Sequence, residues 1–386
     1  MALAFSIVRG GPLYWIGRRI GLADGPRGLF QMAAILAAIT WLPLFVLHLL
    51  RGSAFGGDPT ISFVWSLGTH TRLLAAIPLF FAAEATFDTQ TRAALGHLLD
   101  AQVVTPAERP RFDRILRDAM RWRDSILVEL ALAALTVVLL VGGVRTDLPV
   151  AASSWRTTSG GGLSAAGWWY ATVSLPVFAF LLWRWCWRLL VWAILLWRLS
   201  RLHLDLVPTH PDLAGGLGGL GVAHADLAPL SFGISAMLMA SYAEDLLFGG
   251  AKLENLILPL TAIAVGLTAM MLLPLVLFTP RLVAVSQQGQ LDYGVLATAY
   301  TRAFNAKWVR GGVSPDEPLL GTADLQSLAD LGNSFEVIRN MRPVPFGLYQ
   351  AVVLLAAAVV PMLPLLLTVW PLDELVLHSV KSLVGM

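Results

Sequence analysis

The sequence predicts an all-α integral membrane protein: a polytopic helix bundle of about seven transmembrane helices, with amphipathic helices on the cytoplasmic side. Three observations predict this class. The 386 residues are 56% hydrophobic and only 13% charged, whereas soluble domains carry about 25% charged residues. Several uncharged runs exceed the ~20 residues that a helix needs to cross the hydrocarbon. Lys and Arg concentrate in alternate connections between these runs.

Seven mostly apolar segments are predicted to span the bilayer, namely residues 28–50, 73–87, 126–144, 157–183, 227–243, 255–280 and 343–372. The segment around Glu84 is the weakest of them, because it is short and charged. Prolines inside these spans each remove a backbone hydrogen bond, so several helices are expected to be kinked. These prolines are Pro43, Pro78, Pro176, Pro259, Pro274, Pro361 and Pro364.

The basic residues orient the predicted spans. With a cytoplasmic N-terminus and seven crossings, most of the 27 Lys and Arg residues are cytoplasmic. The extracytoplasmic side then holds only Arg51, Arg72, Arg145, Arg156, Lys252 and Lys381. Cytoplasmic enrichment of Lys and Arg is the asymmetry that membrane proteins follow. The strong excess of arginine over lysine resembles the usage of GC-rich bacterial genomes, so a bacterial plasma (inner) membrane is expected.

The chain accordingly divides into four predicted parts. They are an interfacial N-terminal segment at 1–27, a membrane domain with six spans at 28–280, a cytoplasmic helical loop at 281–345, and the last span with an extracytoplasmic C-terminus at 346–386. The first part is assigned to the interface because Tyr14 and Trp15 lie beside Arg18 and Arg19, which is typical of such segments.

Amphipathic stretches are predicted in the cytoplasmic connections. The Arg-rich residues 109–125 form a helix whose arginines face lipid phosphates, and no nucleic-acid partner is expected because this helix abuts the membrane. The loop 281–345 contains two further helices, with apolar stripes at Tyr293, Leu296, Tyr300, Phe304 and Trp308, and at Leu325, Leu328, Leu331, Phe335 and Ile338. The two stripes are expected to cover each other; packing in a homo-oligomer is the alternative.

Four charged residues are predicted to lie at similar depth near the cytoplasmic ends of three spans: Glu84, Glu129, Arg184 and Arg188. A lone charge inside the membrane costs about 2.5–3.5 kcal/mol, so each of them is expected to have a partner. Two interpretations remain open: an internal salt-bridge cluster, or a gate or ion site. Arg198 shares a helical face with the two arginines, which marks either an exit through an aromatic belt or a basic wall that attracts anions.

The stretch HLDLVPTHPDLAGGLGGLGVAHAD, at residues 203–226, combines His203, His210 and His224 with aspartates two places after each. Its glycines are Gly215, Gly216, Gly218, Gly219 and Gly221. They predict a cytoplasmic hinge, which either unwinds the backbone or gives a small face for helix packing. Asp212 is a plausible N-cap, and His210 with Asp212 forms a polar lock. The histidines also leave open a divalent metal, although their spacing matches no established metal motif; no other cofactor is expected.

The predicted function is a channel or transporter for an ion or small solute. Its expected pathway or gate residues are Glu84, Glu129, Arg184, Arg188, His210 and Asp212, with the glycines as the hinge. One alternative is a membrane-embedded, metal-dependent enzyme that uses the histidines and aspartates. Another is a non-catalytic scaffold whose contact surface is the pair of helices in 281–345.

Overall fold

The computed structural model describes residues 5–19, 21, 25–55, 62–146, 155–158, 162–248, 252–312 and 323–366. Its helices are α1 (Pro12–Arg19), α2 (Gly25–Leu50), α3 (Leu67–His70), α4 (Ile77–Asp100), α5 (Arg109–Arg123), α6 (Ile126–Thr146), α7 (Ala165–Trp169), α8 (Leu175–Leu199), α9 (Gly218–Ala225), α10 (Ala228–Leu247), α11 (Leu253–Leu272), α12 (Thr279–Phe304), α13 (Ala323–Arg339), α14 (Leu348–Val359) and α15 (Leu363–Leu366). Extended pairing in these residues is limited to two isolated bridges. The predicted all-helical class is therefore confirmed.

Five helical stretches among the described residues are long and apolar enough to cross a membrane: Arg27–Leu50, Ala165–Leu199, Gly218–Leu247, Leu253–Val309 and Leu348–Leu365. Their outer surfaces expose large apolar side chains, such as Leu258 at 79% and Leu348 at 81%, as expected where lipid replaces water. The length and composition of these helices indicate a membrane protein. The count of seven stays a prediction, and residues 367–386, with the end of the last predicted span and the predicted C-terminus, lie outside the described residues.

Several prolines of the predicted spans lie at or beside a change in the helical hydrogen-bond pattern. Pro78 and Pro176 each follow a stretch of wider π-helical turns, at Thr71–Ala76 and Tyr170–Ser174. Pro274 lies in the tighter 3-10 turns that join α11 to α12. Proline lacks an N–H group and clashes with the preceding turn, so the backbone near it adopts another hydrogen-bond spacing. The helical stretches from α3 to α4 and from α7 to α8 nevertheless continue through these turns.

Helix α4 lies at the centre of the bundle, in contact with several other helices. Helix α4 packs against α2, α9 and α10, while α8 packs against α5 and α6, and α14 against α10 and α11. Aromatic side chains fill the space between α4 and α8: Phe80 stacks on Phe178 with ring centroids 5.9 Å apart, and Phe87 meets Trp192 edge-on at 5.5 Å. Because Glu84 lies between Phe80 and Phe87 on this face, its carboxylate is directed towards α8.

The first described residues are buried inside the bundle. Phe5, Ile7 and Val8 are almost completely inaccessible, and residues 5–10 precede the first helix. Residues 5–11 pack into the protein, and the interfacial position predicted for 1–27 stays a prediction. We call residues 5–11 the N-terminal segment.

The glycine-rich stretch contains both an irregular turn and a short helix. Gly215 and Gly216 have positive φ angles of 62° and 96° and form the turn before α9, a conformation that glycine adopts without strain. Gly218, Gly219 and Gly221 belong to α9; Gly218 lies against the Asp212 side chain, and Gly221 packs closely on the backbone of Pro345. The stretch is therefore a well-packed loop and short helix in this structure, and its hinge role stays a prediction.

The loop predicted at 281–345 contains two helices that pack against each other. The helical stretch of α11 continues through α12 to Val309, and α13 returns against α12. The Tyr300 hydroxyl donates to the Asp324 carbonyl at 3.0 Å, and Trp308 Nε1 donates to the Asp324 carboxylate at 3.0 Å. The two predicted amphipathic helices thus contact each other within one chain.

Two glycines in α9 give opposite predictions for an alanine substitution. A Cβ atom at Gly221 would lie 2.3 Å from the carbonyl oxygen of Pro345, whereas one at Gly219 would meet Ala94 at an ordinary 3.6 Å. We expect Gly221→Ala to destabilise the protein by about 1–3 kcal/mol through overpacking. Gly219→Ala is the matched control and should be neutral or stabilising, by up to about 1 kcal/mol of helix propensity. Thermal unfolding in detergent measures both, and equal effects would contradict the packing described.

Candidate functional site

The four predicted intramembrane charges are brought together. Arg188 forms an ion pair with Glu84, Arg184 Nη1 lies 3.5 Å from Glu84 Oε1, and Arg184 Nε lies 3.8 Å from Glu129 Oε1. Their exposed fractions run from 3% for Arg188 to 9% for Glu129. We call Glu84, Glu129, Arg184 and Arg188 the charge cluster. The sequence predicted this proximity from the depth of each residue in its span.

Helix geometry explains how the charge cluster assembles. Arg184 and Arg188 are four residues apart on α8, so they project from the same face. That face meets Glu84, which α4 presents between two core aromatic residues. Glu129 lies in the first turn of α6, where the positive end of the helix dipole stabilises a carboxylate. Two carboxylates and two guanidinium groups therefore balance in formal charge inside the bundle.

The N-terminal segment covers the charge cluster. Arg184 Nη2 donates to the Gly10 carbonyl at 3.1 Å, and Arg188 Nη2 donates to the Val8 carbonyl at 2.7 Å. A guanidinium has five N–H donors, more than one carboxylate satisfies, so these backbone carbonyls supply further acceptors. A Cβ atom at Gly11 would lie 2.1 Å from Glu129 Oε1. Gly11 also has a φ angle of +85°, a conformation that favours glycine.

A second buried acid anchors the same segment. Asp88, one helical turn after Glu84, is 1% exposed. It accepts a hydrogen bond from the Ser6 hydroxyl and forms ion pairs with Arg9, at 3.0 Å, and with Arg92. Asp88 and Ser6 were not among the residues predicted from the sequence. The spacing of Asp88, four residues after Glu84, could have indicated its place in the site, because it puts both acids on one face of the helix.

Helix α5 completes the enclosure from the other side. Arg123 donates to the Ser6 carbonyl, and the Gly11 N–H donates to the Asp124 carboxylate at 2.9 Å. The carbonyl groups of residues 6, 8 and 10 therefore each accept from a different arginine. Three arginines, from α5 and α8, therefore hold the backbone of the segment.

The predicted lock of His210 and Asp212 forms in a separate place. The Asp212 carboxylate accepts from the N–H groups of Ala214 (2.8 Å), Gly216 (3.1 Å) and Gly218 (2.8 Å), and lies 2.8 Å from His210 Nδ1. Burial alone would raise the pKa of Asp212, but these backbone donors hold the pKa below its usual value. Arg342 donates to the Asp212 carbonyl, which ties the loop to the end of α13. The N-cap position of α9 is Leu217 and not the predicted Asp212, but the Asp212 carboxylate still accepts from Gly218, the first residue of the helix. The lock therefore stabilises the start of α9 and is not part of the charge cluster.

The three histidines do not converge on a common site. His203 Nδ1 donates to the Glu108 carboxylate at 3.0 Å, and this hydrogen bond holds the pKa of Glu108 below its usual value. His210 pairs with Asp212. His224 is buried, with Nε2 accepting from Trp192 Nε1 at 2.9 Å and Nδ1 facing the Met271 carbonyl. Within the described ranges, no group of three His, Cys, Asp or Glu side chains is placed to hold a metal ion.

Comparisons with known proteins give no relative for this arrangement. No family model matches the chain, and neither the curated proteins nor the solved structures provide a match. The geometry of the charge cluster and of the segment that covers it is therefore the basis for a functional proposal.

Asp212→Asn should destabilise the protein by about 1–2 kcal/mol, as loss of a helix-capping carboxylate does. An amide has one acceptor oxygen where the carboxylate has two, and Gly218 uses the second oxygen. The folded-state pKa lies below the ~3.9 of an unfolded Asp, so charged Asp212 stabilises the fold above that pH. The contribution is lost as the pH falls through the folded-state pKa. Unfolding measured from pH 3 to pH 7 should show the variant's deficit shrinking in acid.

The matched control for this experiment is Asp205→Asn, because Asp205 is exposed in the same connection and its side chain caps no helix. A similar loss of stability in both variants, or a deficit that does not depend on pH, would contradict the role given to Asp212.

Glu84→Gln should destabilise the protein by about 3–5 kcal/mol, because it leaves a buried guanidinium without its main counter-charge. The control is Asp113→Asn, which breaks the exposed i,i+4 pair between Arg109 and Asp113 and should change little. Chemical denaturation in detergent micelles measures both. An equally small effect at Glu84 would mean that water reaches the charge cluster.

Proposed function

We propose that the protein is a membrane channel or transporter for an ion or small solute, and that the charge cluster is its inner gate. One observation carries this proposal: four buried ionised groups in the bundle are closed off by a non-helical segment of the same chain. Ionisable residues within membrane helices are functional candidates by default, because they are expensive to bury. Irregular backbone at membrane depth is tolerated where protein covers it or where it lines a wet cavity.

A purely structural role explains the charge cluster less well. Replacing a buried ion pair by apolar residues of similar volume is often neutral or stabilising, so packing alone does not require four charges. The N–H donors of Arg184 and Arg188 point at backbone carbonyls of the segment. If the segment withdraws, the same donors become available to a solute with oxygen acceptors. An anion fits this chemistry best, since two guanidinium groups then face it.

In this proposal the structure represents the closed state. Ile7 and Phe5 anchor the N-terminal segment in the apolar core, and Asp88 holds it through Ser6 and Arg9. Opening requires these contacts to break and the segment to leave the mouth of the bundle. His210, Asp212 and the glycines lie in the neighbouring loop, where a hinge role would move α9 against α4.

The remaining assignments follow from the sequence. We place the protein in a bacterial inner membrane with its N-terminus in the cytoplasm, the side from which the segment then closes the bundle. A homo-oligomer remains part of this proposal. The metal-dependent enzyme, the first alternative, draws no support from the separated histidines. The ion-flux experiment described below distinguishes the scaffold alternative from transport.

Ile7→Asn should open the gate without changing any charged residue. An amide buried without partners costs about 1–3 kcal/mol, so the segment's equilibrium should shift by roughly 5- to 150-fold towards release. We expect purified protein in liposomes to conduct chloride or small organic anions faster in this variant, in proportion to that shift. Entrapped anion-sensitive dyes measure the flux, with potassium as the cation comparison.

The control is Leu291→Asn, the same class of change at an exposed position on α12; its flux should equal that of the unchanged protein. Suppose that the Ile7→Asn protein is folded, and that the two variants and the unchanged protein all fail to conduct any tested ion. The transport proposal then fails, and the scaffold alternative is favoured.

A further inference from the structure

Three grooves adjoin along one side of α8. The first, of about 440 Å³, lies between α8 and the turns after α11 and is lined mainly by apolar side chains, including Leu273 and Leu277. The second, of about 560 Å³, shares these two leucines and adds Trp197 and Arg201. The third, of about 410 Å³, shares Trp197 and Arg201 and reaches α5. Together they form a continuous surface that changes from apolar to basic.

The basic end has an excess of positive charge. Arg111, Arg114, Arg198 and Arg201 all line the third groove, and no acidic residue does. Arg198 is paired with Asp118 at 2.9 Å, and Arg111 with Glu108 at 3.2 Å. Within the part of the chain that the structure describes, no carboxylate lies in salt-bridge range of Arg114 or Arg201. Two guanidinium groups are therefore free to bind an anion.

The apolar end has the length and exposure for a hydrocarbon chain. From Cys186 in the first groove to Arg201, the helical stretch rises about 22 Å at 1.5 Å per residue. This exceeds half of a ~30 Å hydrocarbon core, the depth of one leaflet. Leu190, Leu273 and Trp197 line the grooves and are exposed. Trp197 stands at the junction of the two ends, as tryptophan does at membrane interfaces.

We propose that these grooves bind one anionic phospholipid, with its phosphate on Arg114 and Arg201 and one acyl chain along Leu277 and Leu273. Guanidinium groups recognise phosphate oxygens through paired, charge-assisted hydrogen bonds. The continuous apolar groove selects a lipid over free phosphate, because a free anion would leave that part of the surface unused. Charge complementarity selects an anionic headgroup over a zwitterionic one.

The test is native mass spectrometry of protein equilibrated with equal amounts of phosphatidylglycerol and phosphatidylcholine in mixed micelles. We expect one retained phosphatidylglycerol per chain. The double variant Arg114→Gln with Arg201→Gln should lower that retention about tenfold or more, because it removes both guanidinium groups that hold the phosphate. The control, Arg117→Gln with Arg121→Gln, removes the same charge from exposed positions of α5 outside the grooves and should retain the lipid.

A second variant tests the apolar end. Ala193→Phe fills the first groove, which Ala193 lines, and should lower phosphatidylglycerol retention while leaving the arginines in place. Equal retention of both lipids, or retention unchanged in the double variant or in Ala193→Phe, would overturn the proposal. Millimolar inorganic phosphate that displaces phosphatidylglycerol completely would also overturn it, in favour of a free-anion site.

Discussion

The ion pair between Glu84 and Arg188 is the interaction on which the arrangement of the bundle depends. Neither group is tolerated alone in a low-dielectric interior, where an unpaired charge costs several kcal/mol. Once paired, they fix the rotation of α4 and α8 about their axes, because only one face of each helix carries the charge. Arg184 extends this constraint to α6 through Glu129. A few polar contacts thereby set the register of three helices whose other contacts are apolar and non-directional.

The N-terminal segment follows from the same constraint. Arg184 and Arg188 need more acceptors than Glu84 and Glu129 supply, and backbone carbonyls provide them without adding charge. A helix would not suffice, since its carbonyl groups are used internally. An irregular stretch is required, and the residues before α1 are one. The buried Ile7 and Val8 add apolar contacts, so the segment is held by both polar and hydrophobic interactions.

The features that the sequence predicts well are those whose residue pattern repeats over a few positions. The apolar runs predict the helices, and the positions of Glu84, Glu129, Arg184 and Arg188 within them predict a shared depth. Long-range contacts of irregular backbone have no period, so the burial of residues 5–11 was missed. The repeated His-x-Asp pattern left a shared metal site open, because sequence spacing does not show where the chain turns between the pairs. Among the described residues, only His210 contacts its own aspartate, while His224 packs against Trp192 of α8.

Helix α5 joins the two regions to which we assign roles. Arg111 and Arg114, at its start, line the basic groove, while Arg123 and Asp124, at its end, hold the N-terminal segment. Along its length α5 is fixed to α8 by Asp118, which pairs with Arg198. A short helix moves as a rigid element, so a ligand that shifts its start also shifts the residues at its end. The contacts that close the charge cluster are therefore mechanically continuous with the proposed lipid-binding grooves. A lipid that binds one position of α5 better than another would bias the proposed gate by that difference in affinity.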